Sequence, residues 1–184
     1  MPDNDNTNFK VKKDHGRGDI CFSVARVPDS GRCYFGSSDG GVYDIDLDSD
    51  KPGPKRCEGD GHSSYVTGTA LTKKHIVTGA WDRHLAWWDR ETGKLIRRQQ
   101  AHTKWLRGVE ASPDGKLIAS VADDMVCRVW NAETGKLVKE LAGHKTKTPT
   151  DYPSMLFCAC FSPDGKLLAT GDKVGHVIIW DTKS

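Results

Sequence analysis

The sequence predicts an all-β chain of four repeated units, each of four short antiparallel strands, and three observations predict it. Motifs recur about every 42 residues, short segments alternate apolar and polar residues with a period of two, and no stretch sustains a helical apolar period. Thr92-Gly93-Lys94-Leu95 returns as Thr134-Gly135-Lys136-Leu137, an offset of 42. Ser112-Pro113-Asp114-Gly115-Lys116-Leu117 returns as Ser162-Pro163-Asp164-Gly165-Lys166-Leu167, an offset of 50. Trp88-Asp89, Trp130-Asn131 and Trp180-Asp181 recur at 42 and 50, and Gly61-His62, Ala101-His102 and Gly143-His144 at 40 and 42. The extra residues of the last unit fall in Lys145 to Ser154, a polar Thr/Lys/Pro stretch that reads as a loop insertion.

Each element follows from local chemistry, shown best by the third unit. Lys116 to Val121 alternates as a strand, Asp123-Asp124 turns the chain, and Met125 to Trp130 alternates again. Glu133-Thr134-Gly135 makes the next turn, and Lys136 to Leu141 is a further strand. Pro-Asp-Gly supplies a preset φ followed by residues tolerant of positive φ. A four-stranded unit of this size cannot bury both faces alone, so the units must stack on one another.

The order Gly-His, Ser-Pro-Asp-Gly, Trp-Asp at this period resembles the WD40 repeat family, and the resemblance covers nearly the whole chain from Phe9 onward. It implies a β-propeller of four-stranded blades. Aligned on the Trp positions, a degenerate first blade spans 16–60, the second 61–100, the third 101–142 and the fourth 143–184. The fourth stops after its third strand. Residues 1–8 read as a flexible N-terminus and 9–15 as a clasp-like strand. In the first unit Val27-Pro28-Asp29-Ser30-Gly31 stands for the Pro-Asp-Gly turn, and Ile45-Asp46 for Trp-Asp.

The resemblance also implies a structural set of hydrogen-bonded side chains in each blade: the His of Gly-His, a Ser or Thr on the second strand, a turn Asp and the Trp indole. Carried over, these are His62, Thr78, Asp82 and Trp88 in unit two, and His102, Ser120, Asp124 and Trp130 in unit three. Unit four offers His144, Thr170 and Trp180, but Val174 stands at the Asp position. Unit one keeps Asp39 but has Ile45 for Trp, and its His15 needs a two-residue insertion. Units one and four are therefore expected to be the less rigid.

Four units invite three arrangements, between which the sequence leaves the choice open. The chain is part of a longer ring, the family's usual size being about seven blades, or it pairs with a second copy, or it closes alone. Residues Phe9 to Lys13 would complete the last blade of such a ring.

Composition narrows function. The chain has 184 residues, a net charge of +2 and six cysteines without CxxC spacing, and a mean hydropathy of −0.59. The longest apolar or small run, Leu117 to Ala122, is far below the roughly 20 residues of a membrane helix, and Met1 to Asn8 lacks a secretory pattern. A cytoplasmic chain without disulfides is expected. A His/Asp/Ser set repeated at a fixed period is structural, because one catalytic site needs one constellation. No catalytic residues, cofactor or metal are expected. Cys158 and Cys160 read as buried strand residues, and His75, His84 and His176 as exposed. Asp44, Asp46, Asp48 and Asp50 form a solvated acidic loop without the Gly and Glu of a calcium loop.

What remains is surface. In the family, partners dock on the top face, at alternate positions of each first strand and at the residue before the turn Asp. The equivalents are Tyr65, Thr67 and Trp81, then Trp105, Arg107 and Asp123, then Met155, Phe157 and Lys173, with Ile20, Phe22 and Ser38 in unit one. Aromatic, Arg and Met side chains suit an interface core. Lys104, Arg107, Lys145 and Lys147 read as a solvated basic rim. The expected function is a non-catalytic scaffold binding a protein or peptide, with self-association as a route to ring closure and neither nucleic acid nor membrane expected. The alternatives are a regulatory or sensor propeller in a longer protein, or a nucleic-acid or nucleosome binder.

Overall fold

The computed structural model describes residues 16–51 and 53–183. The N-terminal stretch 1–8, the clasp-like strand 9–15 and His15 lie outside the described residues. Four antiparallel sheets make up the described chain, and among these residues there is no helix. The first holds β1 (Cys21–Arg26), β2 (Arg32–Ser37), β3 (Val42–Asp46) and β4 (Lys55–Arg56). The second holds β5 (Val66–Leu71), β6 (His75–Ala80), β7 (His84–Asp89) and β8 (Leu95–Gln100). The third holds β9 (Leu106–Ala111), β10 (Leu117–Ala122), β11 (Val126–Asn131) and β12 (Leu137–Ala142). The fourth holds β13 (Leu156–Phe161), β14 (Leu167–Asp172) and β15 (Val177–Asp181). Strands adjacent in sequence are adjacent in space in every sheet. The strands β1, β5, β9 and β13 pack side by side, so the sheets stand as successive blades, and the ring they begin is not closed.

The turns repeat because their chemistry repeats. In both Ser-Pro-Asp-Gly turns the Ser hydroxyl lies 2.7 Å from the Asp carboxylate and accepts the amide of Leu117 or Leu167 at 2.9 Å. Gly115 and Gly165 take φ of 72° and 69°, the left-handed region that a β-carbon resists.

Alternation puts successive residues of one strand into different cores. Trp88 packs toward the first sheet with Tyr34, Val42, Val66 and Ile76. Trp87, one residue earlier, packs toward the third with Val77, Leu85, Leu106 and Ile118. A further core of Val121, Cys127, Leu156 and Leu168 joins the third and fourth sheets.

Two expectations are overturned. Cys158 and Cys160 are exposed. The position of Cys158 is Gly68 in the second sheet and Gly108 in the third, where a β-carbon would meet the next first strand at 2.6 Å (Val109 N) and 3.3 Å (Phe157 O). No further sheet lies against β13 among the described residues, so the cysteines stay uncovered. His75 is buried, its amide donating to Thr72 Oγ1 at 2.9 Å, and burial lowers its pKa. His84 is only half-exposed, with Nδ1 donating to the Asp82 carbonyl at 2.7 Å, while His176 is exposed. The expected acidic loop is only partly a loop: Asp44 and Asp46 lie on β3, where Asp44 pairs with Arg32 at 2.6 Å, and Asp48 beyond the strand accepts the Gly31 amide at 2.8 Å.

Candidate functional site

One face of the molecule is built by the turns that join each second and third strand. In unit two His62 Nδ1 lies 3.2 Å from Asp82, His62 Nε2 is 2.8 Å from Thr78 Oγ1, and the Trp88 indole donates to that hydroxyl at 2.8 Å. Every group is satisfied when Nδ1 carries the proton: indole to hydroxyl, hydroxyl to Nε2, Nδ1–H to carboxylate. Unit three repeats this with His102, Ser120, Asp124 and Trp130, at 3.0 Å for His to Asp, 2.8 Å for His to Ser and 2.9 Å for Trp to Ser. It adds Arg128, whose Nη1 donates to Asp124 at 2.9 Å.

Unit four departs from the expectation. Val174 does hold the turn position, but the carboxylate comes from Asp172, two residues earlier, at the end of β14. Its Oδ2 is 2.8 Å from His144 Nδ1, and its Oδ1 accepts the His176 amide at 2.9 Å, the counterpart of the His84 and Val126 amides bonded by Asp82 and Asp124. Thr170 bridges His144 and Trp180 at 2.8 Å each. Unit one replaces the set with aromatics. Phe35 stands at the Thr position and stacks on Tyr43 at 5.3 Å, and Tyr43 Oη donates to Asp39 at 2.5 Å under the Arg17 guanidinium. Asp172→Ala is therefore expected to lower stability by about 2–3 kcal/mol, since it strands a buried His. Val174→Ala should cost under about 1 kcal/mol. Urea titrations of both variants measure this, and equal losses would contradict the assignment of Asp172.

These carboxylates hold the turns, and the turns hold the face. Asp82 accepts the amides of Ser63 and His84, each at 3.0 Å. Each turn then donates one backbone amide to the carbonyl of the residue just ahead of a first strand: Ser38 to Ile20, Trp81 to Tyr65, Asp123 to Trp105 and Lys173 to Met155, at 2.9–3.0 Å. Side chains far apart in sequence are thereby set next to one another.

The result is a row of rings. Phe22 stacks on Tyr65 at 5.3 Å, Tyr65 lies 4.8 Å from Trp81, and Trp81 stacks on Trp105 at 4.6 Å with an interplanar angle of 4°. Arg107 sits 5.2 Å and 5.5 Å from the two indole centroids and forks onto Asp123 at 2.7 and 2.8 Å. Trp105 remains 49% exposed at the end of the row, whereas Trp81, held between Tyr65 and Trp105, is largely covered. The Trp81 Nε1 is buried without a hydrogen-bond partner among the described residues. Thr67 turns away, donating to the Leu106 carbonyl at 2.7 Å. Ile20 and Ser38 border the row, and Met155, Phe157 and Lys173 form the fourth sheet's share of the face, outside the stack.

Beside the row a cleft of about 680 Å³ opens between the second and third sheets, walled by Trp81, Trp105, Arg83, Arg98 and Lys104. Arg83 was not among the residues the family alignment selects. Its signal in the sequence is that glycine occupies the same turn position in units one and four, Gly40 and Gly175. Among the described residues no group of His, Cys, Asp and Glu is arranged to hold a metal.

A family model described as "WD domain, G-beta repeat" matches residues 93–131 and 135–181. The chain is 28% identical over 158 residues to telomerase protein component 1 of Mus musculus, covering 84% of this chain and 6% of that protein. It is 32% identical over 108 residues to WD repeat and SOCS box-containing protein 1 of Xenopus tropicalis, covering 58% and 24%. It is 31% identical over 132 residues to small ribosomal subunit protein RACK1y of Oryza sativa subsp. japonica, covering 68% and 36%. The chain thus spans 36% or less of the length of each of these relatives.

Proposed function

This chain carries WD40 repeats, and we propose that it is a non-catalytic protein-interaction scaffold that offers the face built around Trp81 and Trp105 to a peptide segment of a protein partner. Proteins with such repeats are protein-interaction scaffolds in general. The observation that carries the reading here is the stacked row Phe22, Tyr65, Trp81 and Trp105, assembled from three sheets on one face and ending in a half-exposed indole. Rigid aromatics that lose little entropy on contact are the residues that dominate interface energies. Arg107, the cation nearest the rings, is neutralised by Asp123, which favours a protein partner over a phosphate backbone. The His, Ser/Thr and Asp groups of these sets are spent on one another inside the blades, which supports a structural role for them. A cytoplasmic location belongs to the same proposal.

Trp105→Ala tests it. Peptides selected from a display library against the full chain should lose at least about tenfold in affinity toward this variant. Its melting temperature should stay within about 2–4 °C of the parent, because the ring is half-exposed. Peptide binders indifferent to Trp105→Ala would overturn the proposal.

A further inference from the structure

The cleft beside the aromatic row differs from the rest of the face in its charge. Of its cations, Arg98 is committed to Asp82 at 3.3 Å and to the Gly61 carbonyl at 2.8 Å. Of its anions, Asp82 is held by His62 and Arg98, and Asp123 by Arg107. Two side chains stay uncommitted: the Arg83 guanidinium and the Lys104 ammonium are exposed and have no partner among the described residues. The cleft is thus left with two surplus positive charges flanking an apolar shelf.

Arg83 carries a second sign. Its backbone sits at φ 74°, the left-handed conformation taken at the same turn position by Gly40 at 79° and Gly175 at 87°. A non-glycine residue there is strained, because its β-carbon crowds the backbone. Met125 occupies the position in the third sheet at 64°, but its side chain is buried in the core and packing accounts for it. No packing accounts for Arg83. Its carbonyl accepts the Ala101 and His102 amides, a role that glycine would fill equally. The strained conformation is kept under a long, exposed cation that has no hydrogen-bond or ion-pair partner among the described residues.

We infer that this cleft takes an acidic peptide segment, with one apolar or aromatic residue lying on Trp105 and flanking carboxylates reaching Arg83 and Lys104. The inference rests on the scaffold reading above and gives it a partner class. Free cations in a cleft that already holds paired carboxylates select against basic segments, and the indole shelf distinguishes a peptide from a featureless polyanion.

Three fluorescein-labelled peptides test it, each with a central Leu-Trp pair flanked on both sides by Glu, by Gln or by Lys. Anisotropy titrations use the full chain at low ionic strength. The Glu peptide should bind, the Gln peptide roughly three- to tenfold more weakly, and the Lys peptide more weakly still. Arg83→Gly combined with Lys104→Gln should bring the Glu peptide down to the Gln peptide's affinity without lowering the melting temperature, because glycine relieves the turn. Equal binding of the Glu and Gln peptides overturns the acidic assignment, and if that binding is still lost in Trp105→Ala, the scaffold reading stands by itself. Binding of no peptide through Trp105 overturns both. Tighter, Arg83-dependent binding of a labelled single-stranded oligonucleotide also overturns the assignment, since a nucleic acid would then be the better occupant.

Discussion

Asp124→Ala is expected to lower stability by about 3 kcal/mol, a fall in melting temperature of roughly 6–12 °C for a chain of this length. The carboxylate is almost wholly buried and serves five donors at once: His102 Nδ1, the amide and hydroxyl of Thr103, the amide of Val126, and Arg128. Removing it takes the carboxylate acceptor from the buried imidazole and leaves a guanidinium that is only 14% exposed with Glu140 as its remaining carboxylate. Surviving contact with Glu140 places the loss at the lower end of the range for a broken buried pair. Burial by itself would raise the Asp124 carboxyl. The hydrogen bonds from His102, Thr103 and Arg128 outweigh it and hold the group well below the usual carboxylate range. A depressed carboxyl contributes stability that is present above its unfolded pKa, about 3.9, and lost as pH falls through the folded value. The difference between parent and Asp124→Ala should therefore be level from pH 7 to 5 and shrink below about pH 4. Burial also keeps His102 neutral, with its pKa lowered, so the parent loses stability as pH falls below about 6.5, where the unfolded imidazole takes up a proton first. Denaturant melts of both proteins from pH 3 to 7 measure this. A near-neutral Asp124→Ala at pH 7 would show that the set contributes little to holding the blade.

The 42-residue spacing made the sheet order legible because each sheet is a meander whose strands pair only with their sequence neighbours. Alternation made the cores legible, as with Trp87 and Trp88 facing opposite ways. Alignment by the Trp positions also reached the residues of the aromatic row, since each turn is pinned to a first strand by one conserved geometry of backbone bond. What it missed has physical causes. Asp172 lies at the end of β14 and Val174 in the turn that follows, where no strand period applies, so position alone could not say which would meet His144. Burial of Cys158 depends on a neighbouring sheet, which no local pattern reports. Arg83 stands outside the positions that the alignment selects, and its one sequence signal, glycine at the same turn position in units one and four, takes on meaning with the backbone angle.

Trp87→Ala is expected to cost about 3–5 kcal/mol and to act on one seam of the molecule. The indole is fully buried between the second and third sheets, against Leu106, Ile118 and Trp130 of its neighbour. Its Nε1 donates to the Ala132 carbonyl at 2.9 Å, across the same seam that Arg97 and Gln99 close with the carbonyls of Glu133 and Gly135. The first seam reaches the equivalent carbonyl, that of Arg90, by a different side chain, the Tyr34 hydroxyl at 2.8 Å. Truncating Trp87 therefore opens a cavity in one interface and leaves one carbonyl short of a donor, while the first seam keeps its own bond. In a stack of repeats, stability is a sum of unit and nearest-neighbour terms, so weakening one interface should uncouple the units on either side. Hydrogen exchange should accelerate first in β9 and β10 for Trp87→Ala, and first in β2 and β3 for Trp88→Ala, whose ring faces the first sheet. Trp87→Phe keeps most of the volume and should lose only about 1–2 kcal/mol. Uniform acceleration in both alanine variants would mean that the four sheets melt as one body and that the seams are not separable.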